Sequence, residues 1–148
     1  MCGRDSPHPS FSAKMPPSPP GKDIIDEGEN IMELKIVSFN IRYTDDPNGH
    51  SIAERAPRVK DTVLSKDPDI IGFQECRPKW WPFIRRDFLD TYEIFNIYRA
   101  FNEMESSPIL WKKDKFELVK KGHFWFSDTP EVSSKGWDVT GCTVCAYG

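Results

Sequence analysis

Two short apolar segments, residues 34–39 and 69–74, enclose a stretch that is long enough for one helix. In that stretch Pro57 suits the first turn of a helix, because its missing N–H would have no partner there. The Lys-Asp-Pro sequence at residues 66–68 then ends the helix. A strand, a helix and a second strand within about forty residues predict a β-α-β unit whose two strands run parallel in one sheet.

The rest of the chain is predicted from turn residues and apolar spacing. We expect a second helix over residues 78–89, with Pro78 in its first turn. Further short strands follow, and three of them, separated by Lys-, Asp- and Gly-containing turns, predict a β-meander. These strands are expected at residues 93–96, 107–111, 116–120, 123–126 and 139–147, with the three central ones forming the meander.

The first part of the chain has a different composition. Residues 1–21 contain six of the 13 prolines, mixed with Ser and Gly, and such a segment cannot bury enough apolar surface to fold. We therefore expect a disordered leader over residues 1–31 and a folded domain over residues 32–148, with Met32 as an alternative start. The leader has no apolar run typical of a signal peptide or transmembrane helix, which predicts a cytoplasmic protein without a membrane-spanning segment.

The charge balance gives no sign of tight binding to nucleic acid. Lys and Arg number 20 against 23 Asp and Glu, for a net charge of -3. A sequence-independent nucleic-acid binder needs a basic surface, so a nucleic-acid substrate is allowed but not indicated. Large aromatic residues on short strands are more often core than base-stacking surface, so Trp111, Trp125 and Trp137 are assigned to the core.

Asn40 and Glu75 each come directly after one of the two predicted parallel strands. Ligands gather at the carboxyl ends of such strands, because the strand fixes a side chain while the next loop leaves space. Carboxylate and amide oxygens suit Mg²⁺, a hard cation. Two simpler interpretations remain open: Asn40 could bond the turn after its strand, and Glu75 could be a solvated carboxylate near the start of the second helix.

Five segments of the chain, taken in order and with their spacing, resemble the N-terminal half of the endonuclease/exonuclease/phosphatase family. The family includes deoxyribonuclease I and apurinic endonucleases. The resemblance implies an α/β fold, the DNase I-like four-layer sandwich, of which this chain would supply about one mixed sheet with flanking helices. The segments are VSFNIR at 37–42, PDIIGFQE at 68–75, ESSPIL at 105–110, GHFWFSDTP at 122–130 and KGWD at 135–138.

The same resemblance implies a Mg²⁺-dependent phosphoesterase, with Mn²⁺ as a possible substitute. Glu75 matches the family's metal-binding carboxylate, and Asn40 matches an amide near the metal and the attacked phosphate. Glu105 matches a carboxylate that supports a catalytic histidine, although a surface charge in a polar, mobile loop is the alternative. Arg77, two residues after Glu75, is a candidate phosphate contact.

The family's later motifs, a His-x-Asp segment, an Asp-x-Asn pair and a terminal Asp-His pair, cannot be placed in this chain. Thr143 also stands where the family commonly has an arginine. If Gly148 is the natural end, we expect a truncated protein with negligible activity alone, because its general base is missing. The alternative is a non-catalytic product or binding module that needs a partner chain to complete its sheet. The substrate, a nucleic acid, a sugar or inositol phosphate or a lipid headgroup, stays undetermined.

Overall fold

The computed structural model describes residues 33–148, so the predicted leader over residues 1–31 lies outside the described residues. This part of the chain contains eight strands, two α-helices and one 3₁₀ turn. The strands are β1 Ile36–Asn40, β2 Ile70–Gln74, β3 Tyr92–Phe95, β4 Tyr98–Ala100, β5 Glu103–Ser106, β6 Ile109–Lys112, β7 Gly122–Trp125 and β8 Val144–Tyr147. The helices are α1 Ile52–Leu64 and α2 Trp81–Phe88, and the 3₁₀ turn Pro78–Trp80 directly precedes α2.

A mixed four-stranded sheet forms the centre, in the order β1-β2-β6-β3. β1 and β2 are parallel and in register, with Asn40 opposite Gln74. β6 runs antiparallel to both of its neighbours. The predicted β-α-β unit and the predicted α/β class are therefore confirmed, and the parallel pairing brings the ends of β1 and β2 to one edge of the sheet.

Helix α1 begins earlier than predicted, because Ser51 caps it and Glu54 completes a capping box. Pro57 therefore lies inside the helix and not in its first turn. The capping box satisfies two backbone donors at the start of the helix. Burial of Ile52 and Ala56 holds the added turn against the core. These contributions offset the one backbone hydrogen bond that Pro57 cannot donate.

Both helices pack on the same face of the central sheet. On that face the side chains of Ile71, Phe73 and Leu110 are at most 1% exposed. They form one core cluster with buried residues of both helices, including Ala56 and Ile84. Helix α1 has 13 residues and α2 has 8, and no helix in this part of the chain is long and apolar enough to cross a bilayer.

The other face of the sheet carries no helix within residues 33–148. Ile70, Ile109 and Trp111 line an apolar cavity of about 140 Å³ on this face. Ile36, on the edge strand β1, is 63% exposed. Apolar side chains on a sheet face normally pack against another layer, so this face is a surface that a further segment or partner can cover.

The predicted β-meander is wrong. β6 lies between β2 and β3, β7 pairs with β8 in a separate two-stranded sheet, and residues 116–120 form no strand. β6 can occupy the centre because its side chains are buried on both faces: Leu110 and Lys112 on one face, and Trp111 on the other beside residues 116–118, are all at most 7% exposed. Regular spacing between short strands indicates neighbours along the chain, but it does not indicate which strand pairs across the sheet.

The β4–β5 hairpin was not predicted, because its sequence is polar and residues 102–107 were expected to form a mobile loop. Its strands are held by backbone pairing between Tyr98 and Ser106 and by an ion pair between Arg99 and Glu105. Among the tryptophans, Trp111 and Trp125 are buried as predicted. Trp137 is 75% exposed, so its assignment to the core is wrong.

Asp69 lies at the start of β2, at the opposite end of the sheet from Asn40. Its carboxylate contacts two lysine ammonium groups and the backbone N–H of a third lysine. It accepts hydrogen bonds from the Lys115 ammonium at 2.8 Å and from the Lys35 backbone N–H at 3.0 Å. The Lys112 ammonium lies 3.4 Å away. The hydrogen bond from Lys115, followed by that from Lys35, holds the pKa of Asp69 well below its usual range.

This lowered pKa predicts an acid-sensitive contribution to stability. The contribution is complete above the unfolded-state pKa of about 3.9 and is lost as the pH falls toward the folded-state value. We expect the free energy of unfolding to fall below about pH 4, and to fall less steeply in Asp69→Asn. Denaturant unfolding at several pH values measures this slope. Asp114→Asn, at an exposed turn after β6, should keep the parent slope, and an unchanged slope in Asp69→Asn would contradict the prediction.

Candidate metal and phosphate site

The structure brings Asn40 and Glu75 together at the edge of the sheet where β1 and β2 end. The Asn40 side-chain amide donates to Glu75 Oε1 at 2.9 Å. The backbone N–H of Tyr43 donates to Glu75 Oε2 at 3.1 Å. Each carboxylate oxygen therefore has one protein donor and keeps one lone pair for a further ligand. The carboxylate is fixed in place and still able to bind a cation.

Glu75 adopts a backbone conformation that non-glycine residues rarely use, with φ at 59°. Such a conformation costs about 1–3 kcal/mol and persists only where neighbouring contacts enforce it. Here Cys76 supplies the contacts: its N–H donates to the Ser106 carbonyl at 3.0 Å, and the Ser106 N–H donates back at 2.8 Å. The paired segment thus turns the Glu75 side chain toward Asn40 immediately after β2 ends.

Asn40 also bonds the turn that follows β1. Its side-chain Oδ1 accepts a hydrogen bond from the backbone N–H of Arg42 at 2.9 Å. This is the turn contact that the simpler interpretation of Asn40 anticipated. The same side chain holds Glu75 through its NH₂ group, and its Oδ1 keeps a second lone pair for a further ligand.

Arg77 lies beside this pair with much of its hydrogen-bonding capacity free. Its guanidinium stacks 4.2 Å from the centre of the Tyr43 ring. Its Nη2 donates to Glu105 Oε2 over a long distance of 3.4 Å. Its Nε is buried with no hydrogen-bond partner in the described part of the chain. A guanidinium has five N–H donors, so Arg77 is oriented by its neighbours but not saturated.

A groove of about 410 Å³ runs alongside Arg77. Tyr43 and Pro78 form apolar parts of its wall, and Lys79 adds a second cation. Lys79 is paired with Asp45 at 2.7 Å. The groove is therefore lined by two cations and one carboxylate, a small positive excess and not the extended basic surface that a long polyanion requires.

Glu105 lies on strand β5 and its side chain is only 14% exposed, so it is not a surface charge in a mobile loop. Its two oxygens face two arginines, Arg99 at 2.8 Å and Arg77 at 3.4 Å. Neither His50 nor His123 hydrogen-bonds to it within residues 33–148. Its support of a catalytic histidine stays a prediction. Sequence reasoning missed Arg99, because the hairpin that places it opposite Glu105 was itself missed.

The two aspartates of the loop after β1, Asp45 and Asp46, are hydrogen-bonded to basic side chains. The hydrogen bond from Arg42 lowers the pKa of Asp46 to about 2. The hydrogen bond from Lys79, followed by that from the Ile52 N–H, lowers the pKa of Asp45. Both carboxylates are therefore ionised at neutral pH and engaged in the loop, so neither is counted as a free metal ligand.

The donor set fits a hard cation only in part. Glu75 and Asn40 offer oxygen atoms, which suit Mg²⁺, and Mg²⁺ commonly binds one or two carboxylates while keeping several waters. Among the described residues there is no group of three or more His, Cys, Asp or Glu side chains that could hold a metal ion. The chemistry of the site thus fits Mg²⁺ or Mn²⁺ with its remaining ligands drawn from water, substrate or further protein groups.

No protein-family model matches the chain. Among curated proteins, an uncharacterized protein of Acanthamoeba polyphaga mimivirus is 26% identical over 112 residues, which is 70% of this chain and 42% of the viral protein. Among solved structures, a mannosyl-6-phosphatase of Bacteroides thetaiotaomicron is 32% identical with a TM-score of 0.70. That match covers 77% of this chain and 44% of the phosphatase.

An endonuclease/exonuclease/phosphatase family protein of Bacteroides vulgatus is 27% identical with a TM-score of 0.68, over 76% of this chain and 44% of that protein. The chain thus spans less than half the length of each of these relatives. The matches agree with the mixed sheet and flanking helices described above. By fold and sequence, the chain is similar to the endonuclease/exonuclease/phosphatase family, whose DNase I-like fold it matches over less than half the length of each of these structures.

Proposed function

We propose that the edge of the sheet at Asn40 and Glu75 is the metal- and phosphate-binding part of a phosphoesterase. The observation that carries this proposal is the Glu75 carboxylate, which two donors hold at a strand end in a strained backbone conformation. Strained residues at strand ends are concentrated at functional sites, where the strain fixes a group for binding. The bacterial mannosyl-6-phosphatase, at 32% identity, supports phosphate esters as the class of substrate.

Glu75 and Asn40 are the residues that would hold Mg²⁺ or Mn²⁺. A bound divalent cation polarises a phosphoryl oxygen and so supplies electrostatic stabilisation as the phosphate is attacked. Glu75 contributes the negative charge, while Asn40 orients the carboxylate and offers an uncharged oxygen. Both residues lie on rigid strand ends, which reduces the movement needed when the substrate binds.

Arg77 is the proposed phosphate contact. Its side chain is 44% exposed and its one hydrogen bond, to Glu105, is long, which leaves Nη donors free for phosphate oxygens, and guanidinium groups bind such oxygens in pairs. Stacking on Tyr43 keeps the guanidinium from rotating away. Because the groove beside Arg77 has only two cations, one of them paired with Asp45, we propose small phosphate esters such as sugar phosphates as the first substrates to test.

The general base is proposed to come from a segment or chain other than residues 33–148. His50 and His123 are the two histidines of that part, and neither side chain hydrogen-bonds to Asn40, Glu75 or Glu105. General acid-base groups typically contribute about 10²–10⁴-fold to a rate. Residues 1–148 alone should therefore bind metal and phosphate with negligible turnover. The cytoplasmic location expected from the sequence stays a prediction.

The proposed function is tested by two successive titrations of the chain followed by NMR of its backbone amides. Mn²⁺ should broaden the signals of residues 40–43 and 74–77 first, and EDTA should restore them. Inorganic phosphate added to the metal-loaded chain should then shift the signals of Arg77 and its neighbours. Broadening that centres on another surface would overturn the proposal.

We expect Arg77→Met to weaken phosphate binding to the metal-loaded chain by about 10- to 100-fold, because a hydrogen bond to a charged group contributes about 1.5–3 kcal/mol. The Met side chain keeps similar length and apolar contact with Tyr43. The matched control is Arg85→Met, at an exposed position of helix α2, which should leave phosphate binding unchanged. Equal losses in the two variants would mean that overall charge, and not Arg77, attracts phosphate.

A second candidate function is a binding module that pairs with another chain. The observation that favours it is the sheet face without helices, where Ile36 is 63% exposed and Trp111 borders an open apolar cavity. An uncovered apolar face and a free strand edge promote association. Light scattering combined with thermal unfolding separates the two candidates, since a cooperative monomer counts against the binding module.

A further inference from the structure

Arg55 of helix α1 donates to three backbone carbonyls of the loop that follows β1. Arg55 has a side chain that is only 14% exposed, and its guanidinium lies 5.6 Å from the centre of the Trp80 ring. Its Nη2 donates to the backbone carbonyls of Arg42 at 2.9 Å and Thr44 at 2.8 Å. Its Nη1 donates to the carbonyl of His50. One side chain thus fixes three carbonyls that belong to both ends of the loop.

The peptide unit between Arg42 and Tyr43 connects this arginine to the candidate site. The carbonyl of that unit accepts hydrogen bonds from Arg55 and, at 2.9 Å, from Trp80 Nε1. The N–H of the same unit donates to Glu75 Oε2 at 3.1 Å. In a planar trans peptide the carbonyl and the N–H point in opposite directions. Fixing the carbonyl on one side therefore aims the N–H at Glu75 on the other.

Two physical effects follow from this arrangement. Both lone pairs of the Arg42 carbonyl are used, so the peptide plane has little freedom to rotate. Donors on the carbonyl also polarise the peptide, which strengthens the hydrogen bond of its N–H to a carboxylate. Arg42 adopts a left-handed conformation, with φ at 63°, that the loop would not favour without such restraint.

We propose that Arg55 is a positioning residue that sets the orientation of the Glu75 carboxylate through the Arg42–Tyr43 peptide. The proposal rests on the proposed function in one respect, that Glu75 binds the metal ion. Arg55 touches neither metal nor substrate. It acts through the peptide that bonds the Glu75 carboxylate. Changes at a direct partner of a metal ligand typically weaken metal binding by about 10- to 100-fold, so a change at Arg55, one contact further away, should reach the lower end of that range.

Arg58 on the same helix provides a matched control. It is exposed and donates to a single carbonyl, that of Gly49, at 2.8 Å. Arg55→Lys and Arg58→Lys make the same chemical change, keep the charge and have nearly equal helix propensity. A lysine ammonium is compact and lacks the planar fork that lets Arg55 reach several carbonyls together.

The experiment compares both variants with the parent chain by three NMR measurements: Mn²⁺ affinity, amide hydrogen exchange at Tyr43, and the carboxyl-carbon signal of Glu75. Arg55→Lys should weaken Mn²⁺ binding by about tenfold, accelerate exchange at Tyr43 and shift the Glu75 signal. Arg58→Lys should change none of these. If Arg55→Lys does not fold, Trp80→Phe removes the other donor to the Arg42 carbonyl and should accelerate exchange at Tyr43 to a smaller extent.

The outcomes separate this inference from the proposed function. A parent chain that binds no Mn²⁺ would overturn the proposed function, while exchange at Tyr43 and the Glu75 signal would still test the role of Arg55. Unchanged exchange and an unchanged Glu75 signal in Arg55→Lys would overturn the positioning role. Weakened Mn²⁺ binding of equal size in Arg55→Lys and Arg58→Lys would also overturn it, because the effect would then not come from the peptide contact.

Discussion

Glu75→Gln should weaken binding of Mn²⁺ to the chain by more than about 100-fold, a larger loss than changes to outer partners of metal ligands produce. The substitution keeps the shape of the side chain and removes its charge. It also replaces one of the two accepting oxygens, which face the Asn40 amide and the Tyr43 N–H, with an NH₂ group. A donor would then face a donor, so the side chain would lose its orientation as well as its charge.

The matched control for this prediction is Glu93→Gln. Glu93 is an exposed carboxylate on β3, the edge strand on the opposite side of the sheet from β1. The Glu93→Gln chain should bind Mn²⁺ with the same affinity as the parent chain when titrated by calorimetry or by NMR line broadening. If Glu75→Gln and the parent bind Mn²⁺ equally, the strand-end carboxylate is not the metal ligand, whatever else the chain binds.

The part of the site formed by β1 and β2 could be predicted from sequence, because it depends on local patterns. Each apolar segment is short and ends in a polar residue, and a connecting helix forces two neighbouring strands to run parallel. Parallel strands in register place their carboxyl ends together, and Asn40 and Glu75 then meet at 2.9 Å. No contact between distant, unrelated segments was needed for this inference.

The rest of the site depends on contacts that local patterns do not encode. Glu105 is ordered because Arg99 and Arg77 reach it from different elements, and its own segment is polar enough to suggest a loop. Arg55 was not singled out because its three carbonyl partners lie on an irregular loop with no periodic signal. Strand β6 illustrates the same limit, since its position between β2 and β3 follows from burial on both faces.

Trp80→Ala should reduce the free energy of unfolding by about 3–5 kcal/mol, the usual cost of removing a large buried aromatic side chain. Trp80 is 1% exposed and belongs to the core cluster between the helices and the sheet. Its Nε1 also donates to the Arg42 carbonyl at 2.9 Å, and its ring supports Arg55. Since domains are stable by only about 5–15 kcal/mol, this one change should leave the chain marginally folded.

Trp137→Ala makes the same chemical change on the surface and is the control. Trp137 is 75% exposed, so its loss should change stability by no more than about 0.5 kcal/mol. Denaturant unfolding followed by circular dichroism avoids the altered fluorescence of the two variants. Similar losses in both variants would contradict the placement of Trp80 in the core. A large loss confined to Trp80→Ala, accompanied by weaker Mn²⁺ binding, would show that one core residue supports both the fold and the orientation of Glu75.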